Sequence, residues 1–248
     1  MSPTLDVVVR ARTVAARLHR PFVARRHDSL ALLSRRHGTQ AALVVDADQL
    51  RLVYEERSYS FHPNMAHHRV TAVHAGRGDR LLTVAGLQPG DRFLDCTCGL
   101  GADAIVAAHA VGPHGRVESL EASELLATVV AHGMAHYDHR NADLTAAMRR
   151  VTVRHATAEH VLATLPSRSW DVVYFDPMFD TPIEATTSLG LVRLLAATDV
   201  PSRATLTEAR RVARRCVVVK DRATGTLLEQ LKIPPVGTTR RHVRYGRC

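Results

Sequence analysis

Apolar residues follow two different spacings along this chain, and the pattern is clearest from residue 92 onward. Short apolar runs predict buried strands at 92–95, 115–120, 151–155, 171–175 and 215–220. Segments with apolar residues at every third or fourth position lie between them and predict helices. Strands that alternate with helices indicate a mostly parallel sheet with helices on both faces, an α/β fold. The predicted helices cover 103–111, 123–139, 142–150 and 205–214, and the tail allows a last strand at 239–245, with an antiparallel orientation as one option.

The first sixty residues predict a separate, small α/β lobe. Its predicted elements are helices at 5–20 and 30–33 and strands at 41–45 and 50–54. Pro21 ends the first helix, Asp28 is the predicted N-cap of the second, and Gly38 ends it. We therefore divide the chain into a lobe at 1–60 and a main domain at 61–248. Because about sixty residues form a marginal core, we expect the lobe to pack on the main domain.

A polar, histidine-rich segment follows the lobe. Pro63 predicts a loop here, with the next helix starting only at His68. The three histidines of this segment lack the spacing of a zinc site and no cysteine lies near them, so we expect no metal. A loop that faces a ligand is the preferred interpretation. Its candidate substrate-binding residues are His62, Asn64 and His67.

The charge of the chain narrows the choice of partners. The formal net charge is +9 and the sequence pI is ≈ 10.1, and only two of the basic residues, Lys220 and Lys232, are lysines. A basic, arginine-rich surface favours nucleic acid, RNA or DNA. A GC-rich genome, which encodes arginine by default, explains the same composition equally well.

Composition also bears on the compartment. The start of the chain has no apolar core of a signal peptide, and no apolar run approaches the ~20 residues of a membrane helix. The four cysteines are scattered without a paired framework. We expect a cytoplasmic protein without a membrane partner. Nothing in the sequence indicates an oligomeric state.

The residues 93–103, FLDCTCGLGAD, contain the strongest local signal. They predict a strand that ends at Asp95, a tight turn through Gly99 and Gly101, and a helix. Such a strand–turn–helix unit binds nucleotide-like cofactors, because glycines admit a close ligand and the helix start offers free N–H groups. Glu121 ends the next strand, where a carboxylate can accept hydrogen bonds from ribose hydroxyls. A plain turn with a surface acid is the alternative.

Two classes of cofactor fit this strand–turn–helix unit, and the residues of the turn distinguish between them. A dinucleotide site requires a third glycine, which is absent here. The acids Asp95, Asp103, Glu121 and Asp176 would repel a pyrophosphate but suit the sulfonium cation of S-adenosylmethionine (SAM). We therefore favour a SAM site, and an NAD(P)-dependent oxidoreductase remains the alternative. Cys96 and Cys98, within the turn, are interpreted as small packing residues rather than as a redox or metal pair.

A second signal follows the fourth strand of the main domain, at Asp176-Pro177-Met178-Phe179. It is similar to the (Asp/Asn)-Pro-Pro-(Tyr/Phe) motif of amino-methyltransferases. The Asp176 carboxylate and the Pro177 carbonyl can accept the two N–H bonds of a base amine, and Phe179 can stack on the base. These three residues are the predicted catalytic group. An ordinary turn at a strand end is the alternative.

Four strings together resemble one family, the ribosomal small-subunit RNA methyltransferase J family and its relatives. The strings are FHPNMAH at 61–67, DCTCGLGADA at 95–104, YFDPMF at 174–179 and VVVK at 217–220. The resemblance implies a Rossmann-like class I methyltransferase sheet, SAM as cofactor, S-adenosylhomocysteine as product, and N2 of a guanosine in small-subunit rRNA as target. It also implies cofactor contacts at Ala102, Asp103, Glu121, Ala122, Thr157, Ala158 and Asp176, beside the Asp95, Gly99 and Gly101 named above.

Other functions remain open at this point. The residues after Phe179 depart from the family pattern, so DNA, a protein or a small molecule is an alternative substrate. A non-catalytic RNA-binding protein on the same scaffold is another alternative. Lys220, at the end of the fifth strand, is a candidate for contact with substrate or phosphate, and an ordinary lysine at a strand end is as good an explanation.

Overall fold

The computed structural model describes residues 4–55, 57–177, 200–240 and 243–248. The N-terminal elements are α1 Leu5–Arg17, α2 Leu30–His37, β1 Ala41–Val45, β2 Leu50–Tyr54 and β3 Arg57–Ser60. The three strands form an antiparallel sheet in the order β1-β2-β3. The sequence did not predict β3, because this short polar strand buries only Tyr59.

The predicted bounds of the first two helices were wrong in detail. Helix α1 ends three residues before the predicted position, because His19 adopts a left-handed backbone with φ 51°. Helix α2 is capped by Ser29, whose hydroxyl accepts a hydrogen bond from the Leu32 N–H at 3.1 Å. Asp28, the predicted cap, lies one residue too early and instead pairs with Arg36 at 2.9 Å.

The histidine-rich segment after the lobe is mostly helical, which corrects the predicted loop. Helix α3 spans Asn64–His74, and Pro63 is its N-cap. Proline at a helix start is favourable, because its ring fixes φ near the helical value and the missing N–H has no partner there anyway. Pro63 therefore caps this helix, which begins at Asn64, four residues before the predicted start.

Within the described residues, the main sheet has seven strands in the order β6-β5-β4-β7-β8-β10-β9. The remaining elements are α4 Arg80–Ala85, β4 Arg92–Asp95, α5 Ala102–Val111, β5 Arg116–Glu121, α6 Glu124–His136, α7 Ala142–Arg149, β6 Val151–His155, α8 Ala158–Thr164, β7 Trp170–Phe175, α9 Arg203–Val212, β8 Ala213–Arg222, α10 Leu227–Gln230, β9 Pro235–Arg240 and β10 Val243–Arg247. The first five strands of this order are parallel, and β10 is antiparallel to both of its neighbours. The α/β prediction is confirmed, and the single predicted tail strand is in fact the hairpin β9–β10.

Strand order reverses between β4 and β7. The chain leaves β4 toward β5 and β6 on one side, and returns to β7 and β8 on the other. Ligands of open α/β sheets bind beyond the carboxyl ends of the strands at such a switch point. The topology therefore places the expected site above the ends of β4 and β7.

The N-terminal sheet shares its core with the main domain. Leu50, Leu52 and Phe61 are buried in the same hydrophobic cluster as Val129 of α6. A Cβ at Gly133 would lie 2.0 Å from Phe61 Cγ, so glycine is required for this close packing. The lobe is thus attached through buried contacts, while the boundary at residue 60 stays a prediction.

Candidate functional site

The carboxyl ends of four parallel strands bring most of the predicted site residues together. Asp95 ends β4, Glu121 ends β5, Asp176 follows β7, and Lys220 lies near the end of β8. Because these strands are parallel neighbours, their ends meet at one edge of the sheet. We call this edge the cofactor edge.

The glycine turn is held in a conformation that other residues rarely adopt. Gly99 has φ 52° and Gly101 has φ 79°, both in the left-handed region. A Cβ at Gly101 would lie 2.3 Å from Met134 Cε. The turn therefore needs glycine at residue 101 both for its backbone and for its packing on α6.

The start of α5 offers unpaired N–H groups at the cofactor edge. Its N-cap is Gly101, and no side chain of the described residues caps it. In contrast, Ser123 caps α6 and Thr157 caps α8. An uncapped helix start attracts the carboxylate or other anionic groups of a ligand, because its N–H groups carry partial positive charge.

Asp95 lies beneath the turn and is 1% exposed. Its carboxylate accepts hydrogen bonds from the Thr97 N–H at 3.0 Å and from the Ser119 hydroxyl at 2.7 Å. Burial raises the pKa of Asp95 to about 7, against the effect of these two hydrogen bonds. The structure therefore shows Asp95 as a support of the turn.

Glu121 connects the turn to the start of α6. Its two carboxylate oxygens accept hydrogen bonds from the Gly99 N–H at 3.0 Å and the Ser123 N–H at 2.9 Å. Burial raises the pKa of Glu121 above its ordinary value. The adjacent predicted residues also lie at this edge: the Ala122 carbonyl is 3.2 Å from the His155 ring, and Ala158 begins α8.

A buried chain of charges crosses the site. Asp103, in the first turn of α5, accepts a hydrogen bond from the Tyr174 hydroxyl at 2.9 Å, lies 3.3 Å from Lys220 Nζ, and pairs with Arg69. Arg69 also forms a two-pronged pair with Asp79, at 2.8 and 3.0 Å. Burial alone would raise the pKa of Asp103, but the charges of Lys220 and Arg69 hold that pKa well below its usual range.

Asp176 is fixed at both its backbone and its side chain. Its N–H donates to the Thr97 hydroxyl at 2.6 Å, and its Oδ2 lies 2.6 Å from Lys220 Nζ. Burial raises the pKa of Asp176, and the Lys220 ammonium opposes that rise. Pro177, next in the chain, is buried. Phe179, the third predicted catalytic residue, lies outside the described residues.

The predicted substrate-binding histidines lie in a different group. The His62 ring makes an edge contact with Tyr137, with centroids 5.3 Å apart, and the His67 ring lies 4.6 Å from that of His139. Asn64 is the first residue of α3. Among the described residues, no group of three or more His, Cys, Asp or Glu side chains could hold a metal ion.

Several residues of the site were not predicted from the sequence. They are Arg69, Asp79, Thr97, Ser119 and Tyr174. Tyr174 carried one signal, since it is the only hydroxyl in an apolar strand. The partners of the others lie far away in the sequence, so no local pattern identifies them.

The two cysteines of the turn agree with the packing interpretation. Cys96 and Cys98 are both buried and free. Burial raises the pKa of each thiol well above its ordinary value, so both are uncharged and unreactive.

Comparison with known proteins identifies the class. The sequence model described as "Putative SAM-dependent methyltransferase" matches residues 26–246 of the chain. The chain belongs to this family of SAM-dependent methyltransferases. It is 35% identical to "Uncharacterized protein YpiP" of Bacillus subtilis, over 92% of this chain and 89% of that protein. It is also 32% identical to "Ribosomal RNA small subunit methyltransferase J" of Edwardsiella ictaluri, over 67% of each chain.

A solved structure supports the same fold. A SAM-dependent methyltransferase from Neisseria gonorrhoeae superposes with a TM-score of 0.65 at 18% identity, covering 99% of this chain and 92% of that chain. The family resemblance stated from the four sequence strings is thus confirmed, and so is SAM as cofactor. The oxidoreductase and non-catalytic alternatives are excluded by the family of the chain. Separately, no helix among the described ranges has the length and apolar character that crossing a membrane requires.

The residues at the cofactor edge fit SAM chemically. The uncapped start of α5 suits the carboxylate of the methionine part. Glu121, at the end of β5, suits the ribose hydroxyls. The carboxylates of Asp103 and Asp176 would attract a sulfonium cation. Lys220 pairs with both carboxylates and partly neutralises their charge. The individual assignments of these residues to parts of SAM remain predictions.

Proposed function

We propose that this methyltransferase modifies an exocyclic amine of a base in RNA, and that the amine is N2 of guanine. The fixed position of Asp176 carries the proposal, because this carboxylate is held at the cofactor edge by Thr97 and Lys220. The relatives named small-subunit rRNA methyltransferase J support RNA as the substrate class. The net charge of +9 also supports a polyanionic substrate.

The chemistry of a base amine explains why this arrangement suits it. Such an amine is a weak nucleophile, because its lone pair is delocalised into the ring. Asp176 Oδ1 and the Pro177 carbonyl would accept the two N–H bonds and turn the lone pair toward the methyl donor. Lys220 holds Oδ2 and so orients the carboxylate. When bound, SAM supplies an electrophilic methyl group on a sulfonium.

The proton balance needs no strong base. The new N–C bond forms as the S–C bond breaks, and the methylated nitrogen then carries an acidic proton. Asp176 is positioned to take this proton and pass it to water. Its pKa, which burial raises, makes it a better proton acceptor than an exposed aspartate. Most of the rate then comes from alignment of the amine with the methyl group.

The base must reach this edge in an unpaired form. An amine within a duplex cannot approach a buried strand end, so we expect a single-stranded or flipped guanine. We assign stacking on this base to Phe179, as the sequence motif predicts.

The test is methyl transfer to small-subunit rRNA from cells that lack the gene. The RNA is incubated with the protein and tritium-labelled SAM, digested to nucleosides, and analysed by chromatography and mass spectrometry. We expect the label in N2-methylguanosine. Asp176→Asn should lower kcat about 100-fold, while Asp138→Asn, at an exposed aspartate paired with Arg149, should not. Label in another nucleoside, or no label in the RNA, would contradict the proposal.

A further inference from the structure

A cavity of about 300 Å³ lies between the N-terminal sheet and α6. Its walls come from the β1–β2 turn, the start of the histidine-rich segment and the outer face of α6. They include no residue of the cofactor edge. The volume is at the lower end of the range for small-molecule sites, roughly 300–1,000 Å³.

One wall of the cavity is apolar and rigid. Leu50 is 2% exposed and Phe61 is 6% exposed. The Phe61 ring lies directly against Gly133, where no side chain larger than hydrogen fits. Phe61 also makes an edge-to-face contact with Tyr137, with centroids 5.9 Å apart at 72°. Of these two rings only Tyr137 is partly exposed, so Phe61 fixes the position of the Tyr137 ring, and the Tyr137 ring is the surface that a flat ligand can reach.

The opposite wall is polar. The His132 and His136 rings are stacked, with centroids 4.3 Å apart at 22°. His136 Nδ1 donates to the His132 carbonyl at 2.9 Å, so Nε2 is the ring nitrogen left for a ligand. Burial lowers the pKa of His132, and His136, Arg10 and Arg17 lower it further. Burial of His132 therefore favours the neutral form of this ring at the cavity.

The shape and polarity of the cavity suit an uncharged aromatic heterocycle. The rings supply stacking surfaces, as they do in single-strand binding proteins. The Asp48 carboxylate and the Gln49 amide, in the same lining, can bond the polar edge of a base. Among the described residues that line the cavity there is no Lys or Arg to pair with a phosphate group.

Two arginines lie outside the cavity, beside α6. Arg20 is 3.5 Å from Glu124, which begins α6 three residues after Glu121. Arg17 is exposed and has no ion-pair partner among the described residues. Since α6 rises 1.5 Å per residue, His132 lies about 12 Å along the helix from Glu124. A few nucleotides span such a distance.

We propose that this cavity binds a second, unmodified base of the RNA strand that carries the target, with Arg17 and Arg20 on the intervening phosphates. The identity of the polymer as RNA rests on the function proposed above. The occupied cavity would fix the register of the strand, so that one particular guanine reaches Asp176.

The test measures binding directly, without methyl transfer. The probes are a fluorescein-labelled 12-nucleotide oligoadenylate RNA and an abasic ribose-phosphate chain of the same length, followed by fluorescence anisotropy from 50 to 200 mM KCl. The pocket variants are His136→Ala alone and His136→Ala with Tyr137→Leu. Arg17→Gln tests the phosphate path. The matched controls are His114→Ala and Arg168→Gln, at exposed residues outside this surface. Melting temperature and S-adenosylhomocysteine binding establish that each variant is folded.

The pocket variants should weaken oligoadenylate binding about tenfold, as loss of base stacking does, and should leave binding of the abasic chain unchanged. Arg17→Gln should lower the slope of log K against log salt by about 0.7. Both controls should match the unmodified protein.

Two results would overturn this inference. One is a folded pocket variant that binds oligoadenylate as tightly as the unmodified protein, or whose affinity for the abasic chain falls as much as its affinity for oligoadenylate. The other is displacement of oligoadenylate by AMP at equal affinity, which would assign the cavity to a free nucleotide. Failure of rRNA methylation with intact base-dependent binding would instead refute only the proposed reaction.

Discussion

In the folded protein, Lys220 Nζ lies 2.6 Å from Asp176 Oδ2. The same ammonium is 3.3 Å from Asp103 Oδ2, so one lysine pairs with two carboxylates at the cofactor edge. Burial would lower the pKa of Lys220, yet the two acids raise it well above its ordinary value. Lys220 therefore stays charged, holds the pKa of Asp103 well below its usual range, opposes the rise in the pKa of Asp176, and orients both carboxylates.

Loss of the Lys220 charge should destabilise the fold and slow the reaction. Lys220→Met leaves two partly buried carboxylates close together, and we expect the free energy of unfolding to fall by about 3 kcal/mol. Urea unfolding followed by circular dichroism measures this change. Lys232→Met, at the exposed second lysine, is the control and should have little effect. Equal stability of the two variants would show that Lys220 does not hold the acids.

Glu121 should determine the affinity for the cofactor. Glu121→Ala removes both the proposed ribose contact and the acceptor of two backbone N–H groups. We expect S-adenosylhomocysteine to bind more than tenfold more weakly, since a hydrogen bond to a charged group contributes about 1.5–3 kcal/mol. Titration calorimetry measures the affinity. Glu208→Ala, remote from this edge, is the matched control, and equal affinities would reject the role of Glu121.

Gly101 should tolerate substitution less well than a glycine of similar backbone conformation in open space. Gly101→Ala meets both a left-handed φ of 79° and the Met134 methyl group. Gly38→Ala meets a left-handed φ of 60° with nothing within 4 Å of the added Cβ. The strain of an L-residue there is about 1–2 kcal/mol. We expect Gly101→Ala to lower the free energy of unfolding by more than this strain. Thermal unfolding of both variants measures the difference between them, which is the cost of the clash with Met134.

Asp95 should make stability depend on pH. Its pKa is about 7 in the folded protein and 3.8 in the unfolded chain. Between these values the folded state binds a proton that the unfolded state lacks, so this contribution is complete below pH 3.8 and is lost as the pH rises through 7. Asp95→Asn keeps the shape of the side chain without the titration.

The measurement for Asp95 is urea unfolding at pH 5, 6 and 7.5 in both proteins. We expect the unmodified protein to lose free energy of unfolding relative to Asp95→Asn as the pH rises. A constant difference across this range would mean that Asp95 titrates normally.

The fold class and the cofactor edge could be predicted because their signals are local. Apolar runs mark β4, β5, β7 and β8, and the predicted acids Asp95, Glu121 and Asp176 each stand at the end of one of these strands. The glycine turn is likewise a property of a few successive residues. In contrast, the predicted start of α3 was wrong, because proline is common both at the end of one element and at the start of a helix.

The sequence by itself determined which residues end the strands and hence which acids meet at one edge, because strand direction follows from the βα alternation. Only the tertiary structure decided which charges pair. Asp103 meets Arg69 across 34 residues and Lys220 across 117 residues, and no periodicity in the chain links such distant residues. The placement of the N-terminal sheet on α6, and with it the cavity beside His132, was likewise decided by packing, because Phe61 and Gly133 fit each other only in the folded chain.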